Sequence, residues 1–162
     1  MNQTHIHLLI THLPIIGTIL GSFVLFYGIW VKSNQTIIAA YYLFIISTLG
    51  AVVAYLTGEG AEEHIEHLPG VVESTIKRHE DFATIALISL IILGVLSLVG
   101  IYLSYIKSKL ASATAVFVLA VSLISFGMVA RTGYLGGQIR HTELQSVTNI
   151  IPLPDLKTEK DD

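Results

Sequence analysis

Seven histidines and no cysteine set the chemistry open to this chain of 162 residues. The histidines are His5, His7, His12, His64, His67, His79 and His141. The lack of thiols removes disulfides, thiolate metal sites, iron–sulfur clusters, c-type haem attachment and cysteine nucleophiles together. No Gly-rich phosphate loop, nucleophile elbow or HExxH pattern is present, so the soluble-enzyme readings have nothing to stand on. Neutral imidazole is a common metal ligand, and that is the chemistry these residues offer.

The elements that position the histidines are read from where charge is missing. Hydrophobic residues make up 52% of the chain and charged residues 13%, well below the quarter usual for a soluble domain. Mean hydropathy is +0.70. A net charge of −3 gives no global attraction to polyanions, and no nucleic-acid partner is expected. No Asp, Glu, Lys or Arg occurs from Met1 to Val31, Ser33 to Gly58, Phe82 to Ile106 or Leu110 to Ala130. Each stretch reaches the ~20 residues that cross a hydrocarbon core of about 30 Å. The spans are placed near 9–31, 37–58, 82–106 and 110–130. The first lacks a positive n-region and is too long for a cleavable signal, so it is expected to be retained.

Short connections at Lys32–Gln35 and Lys107–Lys109 make sequential helices neighbours. The expected fold is an all-α membrane protein, an antiparallel four-transmembrane-helix bundle over 1–150 with an exposed tail over 151–162. The segments 59–68 and 71–81 are helix-compatible around a Pro69-Gly70 turn, so helices 2 and 3 are expected to extend outside the bilayer. No internal repeat is evident beyond the recurrence of His-Leu-Pro at 12–14 and 67–69. Tyr27, Trp30, Tyr41, Tyr42, Tyr102 and Tyr105 gather at the two-loop end as an interfacial belt.

Four spans place all twelve acidic residues and all seven histidines on one side. The other side carries Lys32, Lys107 and Lys109 in short loops, which marks it as cytoplasmic. The expected location is a bacterial inner membrane, multi-pass, with both termini in the periplasm. Counting from the turns at ~1.5 Å per residue puts His79 level with about residues 9, 60 and 137. His7, His12, His79 and His141 then share a slab roughly 10 Å thick. Ionisable groups at such a depth are functional candidates.

Each candidate also has a plainer reading. His12 could be an interfacial histidine bonded to a neighbouring carbonyl. His79 lies in the charged run Lys77–Asp81 and could be surface. His5, His64 and His67 are read as solvated. Gly17-xxx-Gly21 means close helix packing or space for a flat cofactor. Gly133, Gly136 and Gly137 make a poor helix interior unless something approaches the backbone closely. Arg131 and Arg140 are either snorkelling side chains or cations for an anionic cofactor group such as a haem propionate.

The run His7-Leu-Leu-Ile-Thr-His12-Leu13-Pro14 is similar to the HPxxVHFP opening of a bacterial four-helix membrane-domain family of unknown function. Thr57-Gly58 after helix 2, His79 before helix 3, and Gly136-Gly137 leading to His141 resemble its other landmarks. Leu8 and Thr142 stand where that family has proline and glycine. The resemblance covers about residues 5 to 145 and implies a histidine-based haem or metal site.

The expected function is electron transfer by a b-type haem membrane protein, carrying one or two haems. Without cysteine, two histidines form the axial set. His12 is paired with His79, and His7 with His141. Gly136 and Gly137 make room, and Arg131 and Arg140 meet propionates. The chain would pass electrons from the quinol form of a quinone to a periplasmic carrier or serve as a subunit of a respiratory complex. The alternatives are a non-haem Fe, Cu or Zn site, with Glu59, Glu62, Glu80 or Glu143 assisting, and a cofactor-free structural or assembly subunit.

Overall fold

A computed structural model describes the backbone of residues 3–65 and 73–150, with side chains described over 7–58 and 73–138. The expected Pro69-Gly70 turn, the tail over 151–162 and the side chains of His5, His64, His67, Arg140 and His141 lie outside these residues. Five helices follow one another: α1 (Gln3–Ile10), α2 (His12–Trp30), α3 (Asn34–Ile65), α4 (Glu73–Tyr105) and α5 (Ala111–Ile150). No strand occurs among the described residues.

α1 and α2 are one rod with a bend. Thr11 keeps helical dihedrals (φ −61°, ψ −24°), and its amide still reaches the His7 carbonyl at 3.0 Å. The break has a local cause. Pro14 has no N–H to give the Ile10 carbonyl, and its ring crowds that turn.

Four helices are long and apolar enough to cross a membrane: His7–Trp30, Asn34–Gly58, Glu73–Tyr105 and Ala111–Gln138. They match the four uncharged stretches, and the last two run further at the end where the histidines lie. α5 passes through Gly133, Gly136 and Gly137 without interruption. The glycines do not end the helix there. In an apolar setting the backbone has no partner but itself.

The rods close a four-membered ring, in which α2 and α4 each pack on both α3 and α5. Partners run in opposite order along α2 and α3. Gly28 meets Ile37, Gly21 meets Phe44, Gly17 meets Ser47 and Leu13 meets Gly50. Gly17 and Gly21 therefore do what small residues usually do: a Cβ on Gly21 would sit 2.6 Å from the Phe44 ring. They leave no slot for a cofactor.

The interior mixes small and hydroxylated residues with a few large ones, Leu25, Tyr41, Phe44, Leu90 and Leu93, and the surface carries many large apolar side chains. Thr18, Ser22, Ser47, Ser97, Ser122 and Ser125 are buried, along with Ala40, Ala86 and Ala115. Trp30, Leu56 and Leu110 are among the most exposed side chains. A water-soluble bundle would reverse this, because burial of large apolar groups would drive it. Between lipid and protein that drive is absent, and close approach with interhelical hydrogen bonds takes over. Ser22 Oγ donates to Ser122 Oγ at 2.8 Å, and Thr48 Oγ1 reaches the Leu90 carbonyl at 2.8 Å. The arrangement fits a multi-pass membrane protein.

The two short turns are built alike. Lys32 (φ 54°) and Lys107 (φ 51°) both adopt the left-handed conformation. Lys32 N–H bonds the Ile29 carbonyl and Ser33 N–H the Gly28 carbonyl; Lys107 and Ser108 do the same with Ser104 and Leu103. This is the Schellman closure, with lysine where glycine is usual. The separation that relates Lys32 to Lys107 also relates Ser22 to Ser97, Ser47 to Ser122, and Thr57-Gly58 to Thr132-Gly133. The chain thus consists of two hairpins, α2–α3 and α4–α5, with a common plan. Sequence reading finds no repeat because the shared positions are scattered small and polar residues among interchangeable aliphatics.

Tyr41 departs from the expected interfacial belt. Tyr27, Trp30, Tyr42, Tyr102 and Tyr105 are exposed, but Tyr41 is fully buried. Its ring lies on Gly100, where a Cβ would come within 2.5 Å of Cζ. Its hydroxyl has no hydrogen-bond partner among the described residues. An unmet buried hydroxyl costs about 1–3 kcal/mol, so Tyr41→Phe is expected to raise stability by about 1 kcal/mol. Gly100→Ala is expected to lower it by about 1–3 kcal/mol, because the ring has nowhere to retreat. Thermal unfolding in one detergent checks both.

Candidate functional site

The site forms at the end of the bundle away from the lysine turns. α3 and α5 start at the lysine turns, from Asn34 and Ala111, and each climbs about six helical turns before it meets a histidine ring.

His7 projects from α1 against α3. Its Nδ1–H donates to the Ala54 carbonyl at 2.8 Å, with Thr57 Oγ1 3.4 Å from the same nitrogen. The ring lies over Gly58, where a Cβ would be 3.6 Å from Cε1. His79 projects from α4 against α5. Its Nδ1–H donates to the Thr132 carbonyl at 3.0 Å. The ring lies over Gly136, where a Cβ would be 3.1 Å from Cε1. Both rings are half-buried.

A carbonyl oxygen only accepts, so each bond places the ring proton on Nδ1. Nε2 is then left with a lone pair on both histidines. The two imidazoles are also close enough to interact electrostatically with each other, and Glu80 acts on His79 from its own helix. Fixing a histidine through one ring nitrogen, so that the other can ligate, is the usual support of a metal-bound imidazole.

His7 is thus the histidine that interacts electrostatically with His79. His12 is exposed, and its Nδ1–H returns to the Leu8 carbonyl of its own chain at 2.9 Å. The reason is angular. Five residues at about 100° each leave His7 and His12 about 140° apart around the rod, so only one can face inward. The plainer reading of His12 describes its surroundings correctly. The expected pairing of His7 with His141 falls on a side chain outside the described residues.

Gly136 and Gly137 play different parts. Gly136 carries the His79 ring, whereas a Cβ on Gly137 would meet nothing within 4 Å. Arg131 is exposed and lies over Phe82, with its guanidinium carbon 5.2 Å from the ring centroid. That stacking is a sufficient local partner for the charge. Arg140 lies outside the residues whose side chains are described. Among the described residues no three His, Asp or Glu side chains converge to hold a metal ion.

Sequence reasoning did not single out Ala54, Gly58 as a seat for His7, or the Thr132 carbonyl. The usable signal was the matching Thr-Gly pairs at 57–58 and 132–133, of which the first contains the glycine under His7 and the second the carbonyl that His79 bonds. Comparison with protein families, with curated proteins and with solved structures finds no match.

His12→Ala is expected to change stability by no more than about 0.5 kcal/mol, as at an ordinary surface position. His79→Ala removes a ring bonded across two helices and is expected to cost about 1–2 kcal/mol. Unfolding curves of the two variants, run beside the parent chain, give the difference.

Proposed function

We propose that the chain is a b-type haem membrane protein that carries electrons, with His7 and His79 as its axial pair. The observation that supports this is the matched state of the two rings. Each gives Nδ1–H to a carbonyl and keeps Nε2 for a ligand. A two-imidazole set suits haem, which needs only two protein ligands, better than a tetrahedral zinc or copper site, which needs three or four.

Haem, when bound, supplies a one-electron iron couple. The residues of the chain hold and orient it. His7 and His79 ligate from α1 and α4. The open flank of Gly137 leaves room for a flat ring. Arg131 and Arg140, both in α5, would supply the cations that propionates need. The chain then links a quinol to a periplasmic carrier, or serves as a subunit of a respiratory complex.

In this reading the fold is an antiparallel four-transmembrane-helix bundle. α3 and α4, with 32 and 33 residues, are each roughly 50 Å long against a hydrocarbon core of about 30 Å. Both extend beyond the bilayer on the side of the histidines. Lys32, Lys107 and Lys109 hold the opposite end in the cytoplasm of a bacterial inner membrane. A C-terminal alkaline phosphatase fusion is expected to be active, and an inactive one reverses the orientation.

Protein purified after expression with ample haem is expected to show a Soret band. His7→Ala and His79→Ala should each abolish it, and His12→Ala should retain it. A chain that folds but shows no Soret band overturns the proposal. Bound iron, copper or zinc in that preparation would point to a non-haem site instead.

A further inference from the structure

We propose that Gly136 and Gly58 are positioning residues, each the floor of a seat in which a backbone carbonyl selects one tautomer of the imidazole opposite. In an α-helix the carbonyl of residue i points along the axis towards residue i+4. A ring that donates to that oxygen from outside must therefore lie over residue i+4. His7 bonds the Ala54 carbonyl and lies over Gly58. His79 bonds the Thr132 carbonyl and lies over Gly136. Both pairs have this spacing, on two different helices, in the two hairpins of common plan.

The glycine is required by the close approach. A methyl group at 136 would stand 3.1 Å from His79 Cε1 and 3.4 Å from Nδ1, so the ring must give by a few tenths of an ångström and its bond to the carbonyl is strained. At 58 the same group would be 3.6 Å from His7 Cε1, an ordinary contact, and the seat is less strict. His12 shows the same geometry within one helix. It bonds the Leu8 carbonyl four residues back, and needs no glycine because the residue over that carbonyl is itself.

The seat decides which nitrogen is offered. A neutral imidazole has one donor and one acceptor nitrogen, and the tautomer follows the stronger partner. With Nδ1–H tied to a carbonyl, Nε2 is the acceptor. Without the seat, a proton on Nε2 would block that atom as a ligand. The proposal rests on reading His7 and His79 as a ligand pair. Its readout is the tautomer of each ring, so it and the haem reading can fail separately.

The test uses the full chain in lipid nanodiscs without added haem, with ¹⁵N-labelled histidine, and NMR of the ring nitrogens assigned through His7→Gln and His79→Gln. The parent chain is expected to show Nδ1–H at both rings. Gly136→Val should remove the Nδ1–H signal of His79 and leave that of His7. Gly136→Ala, which keeps a good helix former at the position, should weaken it in the same direction. Gly133→Ala, whose Cβ would touch only an Ile15 methyl at 3.0 Å, should change neither ring. Nε2–H at either ring of the parent chain would overturn the proposal. So would an unchanged His79 signal in a folded Gly136→Val or Gly136→Ala chain.

Discussion

Lipid offers a helix neither a hydrogen-bond partner nor a reason to bury its large side chains. Most of what is seen in this molecule follows from that constraint. The rods meet through glycine, alanine and serine packed around a few large side chains such as Leu25, Phe44, Leu90 and Leu93, and many other large apolar side chains face outward. Hydroxyls close on carbonyls four residues back, as Ser47 does on Leu43, or cross to a neighbour, as Ser22 does to Ser122. The imidazoles obey the same rule. His7 and His79 each take a main-chain oxygen from the next rod.

That rule also links the scaffold to the site. Backbone carbonyls are normally covered by the side chain one turn on. Only where that side chain is missing can a foreign ring reach the oxygen. The residues that allow rods to approach one another in the middle of the bundle, glycines, are at its mouth the ones that allow a ring to approach a rod. One physical device, the absent Cβ, serves packing at Gly21 and Gly100 and seating at Gly136.

Much of this was legible in the residues. Uncharged stretches located all four long helices, and counting from the turns placed His79 level with the mouth of its neighbours, where it bonds Thr132. Depth was therefore readable, because it depends only on rise per residue. Azimuth was not. Which of His7 and His12 faces inward depends on how a rod bent near Pro14 is rotated, and four spans apolar on every side carry no stripe to report it. For the same reason Tyr41 reads as an interfacial aromatic like Tyr42 beside it, although one is buried and the other exposed. The common plan of the hairpins was hidden because aliphatic residues facing lipid are free to vary, leaving only turns and contacts alike.

The left-handed lysines carry a consequence for how the molecule comes to rest in its membrane. Glycine at Lys32 and Lys107 would relieve about 1 kcal/mol of backbone strain at each reversal. It would also leave those reversals uncharged. Lysine accepts the strain and places an ammonium at the tip of each hairpin, where dragging it through hydrocarbon is heavily opposed. Each half of the chain therefore carries its own anchor, and neither half can invert without moving a cation across the oily layer.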